Sequence, residues 1–164
     1  MLYDSTINTH LTYCNIIWAN TCKTYTENLI RLQKRALRQC SHNKPLTKTE
    51  NLFCKANRLP VHLIAKLQLA KIVYLFYNAT NELPDHIKLL FSKTSDLHTY
   101  PTRATDNMQL HKQYCKTNIR KFTPKILAPS LWNSLPITIR QTTPISNFTK
   151  NLKFYLFSLY SEDH

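Results

Sequence analysis

The sequence predicts a mainly α-helical protein, an irregular assembly of several helices with at most one short two-stranded β ribbon, near residues 98–103 and 118–122. The first indication is the complete absence of glycine from 164 residues, which leaves turns and helix ends to Asn, Asp, Ser and Pro. The second is the helical spacing of apolar residues in the longest segments. The third is a set of three Leu-Pro dipeptides, because proline is well tolerated in the first turn of a helix.

The composition describes a folded and strongly basic chain. Hydrophobic residues make up 43% and aromatic residues 11%, which is typical of a protein with a core. The formal net charge of +13 is common in nucleic-acid binders, and an anionic membrane surface is the other ordinary partner of such a charge. Without glycine there is no P-loop and no G-x-G-x-x-G motif, which excludes the nucleotide-binding folds built on those turns.

Nothing in the sequence indicates export or membrane insertion. No apolar stretch reaches the ~18 residues that can span a bilayer, and residues 1–11 lack the basic region and apolar run of a signal peptide. The five cysteines are odd in number and scattered, which suits a reducing compartment. We therefore expect a cytoplasmic or nuclear protein that is not secreted and has no membrane partner.

The first predicted helix covers residues 3–18, and a second follows a break at residues 20–23. Apolar side chains of the first helix stand at helical spacing, at Ile7, Leu11, Cys14 and Trp18. Thr24 or Thr26 is expected to cap the second helix, which should end near residues 41–45.

Residues 29–40 of this second helix have one face to bury and one charged face. At about 100° per residue, the predicted buried face gathers Leu29, Leu32, Ala36, Leu37 and Cys40. Four cations lie within an arc of roughly 100° on the opposite side, at Arg31, Lys34, Arg35 and Arg38. Such a row is either a solvated surface or a binding surface for a polyanion.

The three Leu-Pro pairs are each predicted to begin a helix; they are Leu59-Pro60, Leu83-Pro84 and Leu135-Pro136. The helix after the first pair, residues 61–79, is apolar nearly all round in its second half, so we expect it to be buried and central. Residues 92–112 are polar and irregular and predict a loop.

Two further helices are predicted near the C-terminus. A short one covers residues 128–135 around Trp132, and the last begins near Thr143-Pro144. The apolar face of the last helix holds Ile145, Phe148, Leu152, Tyr155, Leu156 and Leu159.

Short motifs along nearly the whole chain carry a resemblance to a known family. They are Leu11–Asn15 with Trp18, Leu32–Arg38, Lys66–Leu69, Leu83-Pro84, His98 with Tyr100, Thr102 and Arg103, Thr117–Phe122, Pro129, Trp132–Pro136, and Phe148 with Leu152-Lys153. In this order they resemble the C-terminal part of the reverse transcriptase of LINE-like non-LTR retrotransposons. One departure is Ala128, where the family usually has glycine, so a tight turn expected there would be altered.

The resemblance implies a helical thumb that grips the primer–template duplex, followed by a further helical region. By the resemblance, residues 3–60 correspond to the end of the polymerase and its thumb. Together with the periodicity, this predicts one module with a thumb-like segment (1–58), a central buried helix region (59–91), an irregular loop (92–113) and a C-terminal helical segment (114–164). The family polymerises with aspartates of an upstream palm in a Y/F-A-D-D motif, which this sequence lacks. Two-metal phosphoryl transfer needs clustered carboxylates, so we expect no polymerisation by this chain alone, no cofactor in it, and a divalent metal only in the missing palm.

Two sets of candidate nucleic-acid-binding residues emerge. The first is Arg31, Lys34, Arg35 and Arg38. Their phosphate contacts would carry little sequence information, and the logarithm of the binding constant would fall with the logarithm of the salt concentration with a slope of about 3–4 on the scale of B-DNA. The second set is Arg103, Arg120 and Lys121. Tyr100 and Phe122 lie near it in sequence and could either stack on unpaired bases or belong to the core.

Four residues are expected to have structural roles. Trp18 and Trp132 are large apolar residues, Asn133 could cap or pin a turn, and Pro136 begins a helix. A zinc site would need scattered cysteines to converge, and the only close pair is Cys40 with His42, so we predict no metal.

The leading functional hypothesis is a basic module that binds the backbone of an RNA or DNA duplex without sequence preference, with the remainder of a polymerase as a further partner. The alternative is a helical protein-interaction module that self-associates through the face from Ile145 to Leu159 and has no nucleic-acid role.

Overall fold

The computed structural model describes residues 2–40, 49–97 and 107–162. Helices dominate these ranges, so the prediction of a mainly α-helical fold is confirmed. The chain divides into two compact units, residues 1–67 with 152–164 and residues 68–151. We call them unit 1 and unit 2.

Unit 1 begins with short helical pieces and contains the long cationic helix. Its elements are a π-helical stretch Asp4–Asn8, α1 Thr9–Thr12, α2 Asn15–Trp18, α3 Lys23–Cys40 and α4 Thr49–Ala56. Helix α5, Val61–Asn78, starts in unit 1 and continues in unit 2.

Unit 2 is built from the second half of α5 and several short helices. They are two 3-10 turns at Thr80–Glu82 and Thr94–Asp96, α6 Asp85–Lys88, α7 Asn118–Lys121, α8 Pro124–Ser134 and α9 Ile137–Arg140. Helix α10, Ile145–Glu162, starts in unit 2 and ends in unit 1. None of the helices in the described ranges is long and apolar enough to cross a membrane.

The predicted continuous helix over residues 3–18 is wrong, because the chain breaks at Cys14, whose φ is +47°. Side chains take carbonyls that a helix would use. The side-chain amide of Asn15 donates to the Leu11 carbonyl at 2.7 Å, and the indole nitrogen of Trp18 donates to the Tyr13 carbonyl at 2.8 Å. Such bonds compete with the regular helical ladder.

Two helix boundaries in unit 1 differ from the sequence analysis. Helix α3 begins at Lys23, so Thr24 and Thr26 lie inside its first turn rather than capping it. Helix α4 was not predicted from the sequence, and it is followed by Asn57, whose φ is +51°. The Arg58 amide donates to the Phe53 carbonyl, which closes the turn in the pattern that glycine usually provides.

All three predicted Leu-Pro helix starts are confirmed. Helices α5, α6 and α9 begin directly after Pro60, Pro84 and Pro136. In each case the amide three residues later donates to the proline carbonyl. The apolar residue at that position is therefore fixed in the first turn, and α5 is largely buried as predicted.

The core of unit 2 is a stack of aromatic rings. Trp132 is fully buried and lies parallel to Tyr77, with ring centroids 5.5 Å apart and planes at 13°. The ring centroid of Phe148 lies 4.5 Å from that of Tyr74 and 6.0 Å from that of Trp132. These contacts join α5, α8 and α10 within the unit.

Side chains also hold four consecutive backbone carbonyls of unit 2, those of residues 107–110, which we call the clasped segment. Trp132 donates to the Met108 carbonyl at 2.8 Å and Tyr77 to the Gln109 carbonyl at 2.9 Å. Arg140 donates to the Asn107 carbonyl. Asn133 completes the set by donating to the Leu110 carbonyl and accepting from its amide.

Two expectations for unit 2 are wrong. Residues 118–122 do not form a strand: Asn118–Lys121 is the helical turn α7, stabilised by a Lys121 ammonium that donates to the Asn118 side chain at 3.1 Å. The proposed partner strand at 98–103 lies outside the described residues. Ala128 is buried inside α8, which starts earlier than expected at Pro124, so there is no tight turn at Ala128 to alter.

Candidate nucleic-acid interface

Helix α3 is anchored in unit 1 by a buried amide. Gln33 is 2% exposed and its side-chain nitrogen donates to the Tyr3 hydroxyl at 3.0 Å and to the Leu59 carbonyl at 2.9 Å. Its side-chain oxygen accepts from the Val61 amide at 3.0 Å. One residue therefore fixes the rotation of α3 relative to the N-terminal pieces and to the start of α5.

The buried face of α3 is not the one the sequence predicted. Leu37 is buried as expected, but Leu32 is 61% exposed and Cys40 is also exposed. The buried positions include Thr26 and Gln33 instead. At 100° per residue the buried side is turned by about 60° from the predicted one, because two polar side chains occupy it.

This rotation leaves the predicted cations on the outer side of α3. Arg31 and Arg35 are exposed, and Lys34 and Arg38 are half-buried at the edge of the arc. Within the described ranges, Arg31, Lys34 and Arg35 make no hydrogen bond and no ion pair. We call these three residues together with Arg38 the cationic face.

The cations are close enough to affect one another. Burial lowers the pKa of Lys34, and the positive charges of Arg38 and Arg31 lower it further. An anion placed between them would relieve this repulsion, since a nearby opposite charge stabilises the protonated ammonium. The cationic face therefore concentrates positive charges that repel one another.

The second predicted set of binding residues lies only partly within the described residues. Arg120 and Lys121 lie on α7 in unit 2, both exposed, and Phe122 is 40% exposed at the end of that helix. Arg103 and Tyr100 lie outside the described residues. Phe122 is thus not a core residue, and a more exposed aromatic nearby, Tyr114, was not among the predicted residues.

The four residues expected to be structural have different environments. Trp132 and Asn133 hold the clasped segment, and Pro136 precedes α9. Trp18 is half-buried and its indole donates to the nearby Tyr13 carbonyl.

Gln33 and Arg140 are structural residues that the sequence did not predict, because buried polar residues contradict the hydrophobic pattern from which core positions are predicted.

In the described part of the chain no three metal-ligating side chains converge. Four of the cysteines are exposed and Cys115 is half-buried, and His42 lies outside the described ranges. The aspartates Asp4 and Asp85 form ion pairs with Arg58 and Lys88. These carboxylates hold cations of the protein itself.

Comparison of the chain with protein-family models, with curated proteins and with solved structures finds no match.

Proposed function

We propose that the chain is a basic nucleic-acid-binding module whose α3 grips the phosphates of an RNA–DNA or DNA duplex without reading its sequence. The observation that carries this proposal is the cationic face, in which Arg31, Lys34 and Arg35 are presented by one helix and make no ion pair in the described structure. Cations without an intramolecular partner keep their full capacity to displace the counterions of a nucleic acid.

The resemblance to the thumb region of LINE-like reverse transcriptases supports the same assignment, since the motif LQKRALR (residues 32–38) contains Lys34, Arg35 and Arg38, and Arg31 directly precedes it. The net charge of +13 supports it further. Catalysis would be supplied by a palm with the aspartate motif, and this chain would bind the backbone of the duplex.

The test is a fluorescence-anisotropy titration of a labelled mixed-sequence duplex at low salt. The variant replaces Arg31, Lys34 and Arg35 by alanine, which is a better helix former than either residue, so α3 should persist. We expect its affinity to fall by at least tenfold. Affinity equal to that of the unsubstituted chain would refute the proposal.

A matched control removes the same number of charges elsewhere. Lys55, Lys66 and Lys150 are exposed, lie on other helices and leave the same net charge when replaced by alanine. We expect this control to retain most of the affinity. Equal losses in both variants would show that net charge alone drives binding.

A protein-interaction module is the second candidate, favoured by the exposure of Tyr25 and Leu32 on α3. The surface first expected to self-associate is buried in its middle, at Phe148, Leu152 and Leu156 of α10, whereas Ile145 and Leu159 at its ends are exposed. If the chain dimerises in gel filtration and ignores nucleic acid, this candidate replaces the first.

A further inference from the structure

We infer that unit 2 carries a binding strip for single-stranded nucleic acid, formed by residues 111–122 and centred on Tyr114. The inference rests on the proposed function only in assigning the chain to nucleic acid. It concerns a different unit, a different surface and an unpaired strand rather than a duplex.

The strip is uniformly basic. Between residues 107 and 161 the sequence contains no Asp or Glu, and exposed cations follow one another along the strip at Lys112, Lys116, Arg120 and Lys121. The charge of this surface is therefore complementary to a polyanion, and no carboxylate within residues 107–161 balances it.

Residues 112–116 alternate in exposure. Lys112, Tyr114 and Lys116 are exposed, whereas Gln113 and Cys115 are half-buried. Alternation with a period of two is what an extended chain produces, so we place Tyr114 on the same side of the segment as Lys112 and Lys116. Phosphates could contact the lysines while a base contacts the ring.

Tyr114 is the residue that favours an unpaired strand over a duplex. Its side chain is 82% exposed, and no hydrogen bond or ring contact involves it in the described structure. An aromatic ring can stack on a base whose face is free, and in a duplex that face is already covered by neighbouring bases. Ile119, 87% exposed, and Phe122 extend the apolar surface along the strip.

The strip is held at its N-terminal end, which reduces the entropy that binding must remove. On its N-terminal side is the clasped segment, and the His111 amide donates to the Ser92 carbonyl at 3.0 Å. On its C-terminal side α7 is followed by Thr123, whose hydroxyl donates to the Arg120 carbonyl at 2.7 Å.

The test measures binding of a short fluorescein-labelled oligothymidylate to the full chain. Loss of one stacked base costs about 1–3 kcal/mol, so Tyr114→Ala should weaken binding about 5- to 150-fold, while Tyr114→Phe, which keeps the ring, should bind within about twofold of the original. Tyr13→Ala is the control, because Tyr13 is 76% exposed in unit 1, and it should leave binding unchanged.

A second readout locates the contact directly. Irradiation of a complex with a 5-bromouracil-substituted strand should crosslink the tryptic peptide of residues 113–116, which holds Tyr114. Oligothymidylate affinity unaffected by Tyr114→Ala, or reduced as much by Tyr114→Phe, would overturn the inference. So would a crosslink confined to α3.

The two proposals fail separately. Duplex binding that depends on the cationic face, without a Tyr114 effect on the single strand, refutes the strip and keeps the proposed function. Single-strand binding that depends on Tyr114, without duplex binding, does the reverse.

Discussion

Replacing Gln33 by methionine should destabilise unit 1 by about 3 kcal/mol. Methionine has a similar volume and helix propensity, but it cannot bond the Val61 amide or the Leu59 carbonyl, both of which belong to buried residues. Each orphaned buried group costs about 1–3 kcal/mol, and the more apolar side chain offsets about 1 kcal/mol of the sum.

The assay is urea unfolding followed by far-ultraviolet circular dichroism. Gln39→Met is the matched control, because Gln39 is exposed on the same helix and the same substitution there should change stability by less than about 0.5 kcal/mol. If Gln33→Met proves as mild as the control, the claim that this amide anchors α3 is refuted.

Three further predictions concern other parts of the fold. Asn133→Ala should lower the free energy of unfolding in urea by about 2–4 kcal/mol, because both backbone groups of buried Leu110 lose their side-chain partner. The control Asn147→Ala, on the exposed side of α10, should lower it by less than about 0.5 kcal/mol, and equal losses in the two variants would contradict this prediction. Burial raises the pKa of Tyr77 to about 12 from the ordinary 10.0, so the stability that the neutral phenol contributes is complete below pH 10 and is lost as the pH rises towards about 12. In Tyr77→Phe the melting temperature should therefore fall less over that pH range. A melting temperature with the same pH dependence in both proteins would argue against a buried phenol. Asn57→Gly should preserve or slightly raise the melting temperature, because glycine adopts positive φ without strain, whereas Asn57→Val should lower it; the reverse order would refute the assigned helix end.

The sequence was informative where structure depends on local order. Leu-Pro pairs located three helix starts because proline fixes its own backbone angle and needs no amide partner. The long helix α10 was found because its apolar residues keep a helical period. Helix α5 was found because it follows a Leu-Pro pair and is apolar nearly all round in its second half. The arc of cations on α3 follows from the same arithmetic.

Long-range polar contacts could not be predicted. Gln33 bonds residues 26 to 30 positions away, and nothing local distinguishes it from exposed Gln39 on the same helix. The rotation of α3, and hence the exposure of Leu32, depends on that bond. Asn133 likewise bonds Leu110 across 23 positions, which a pattern of apolar residues cannot reveal. The helical turn at Asn118–Lys121 is too short to show a period.

The salt dependence of duplex binding tests the central claim most directly. Each phosphate contact contributes about 0.9 to the slope of log K against log salt on B-DNA. Replacing Arg31, Lys34 and Arg35 by alanine should therefore reduce the slope by about 2.7, while replacing Lys55, Lys66 and Lys150 should leave it nearly unchanged. A slope unaltered by the first variant, or equally reduced by the second, would contradict a binding surface on α3.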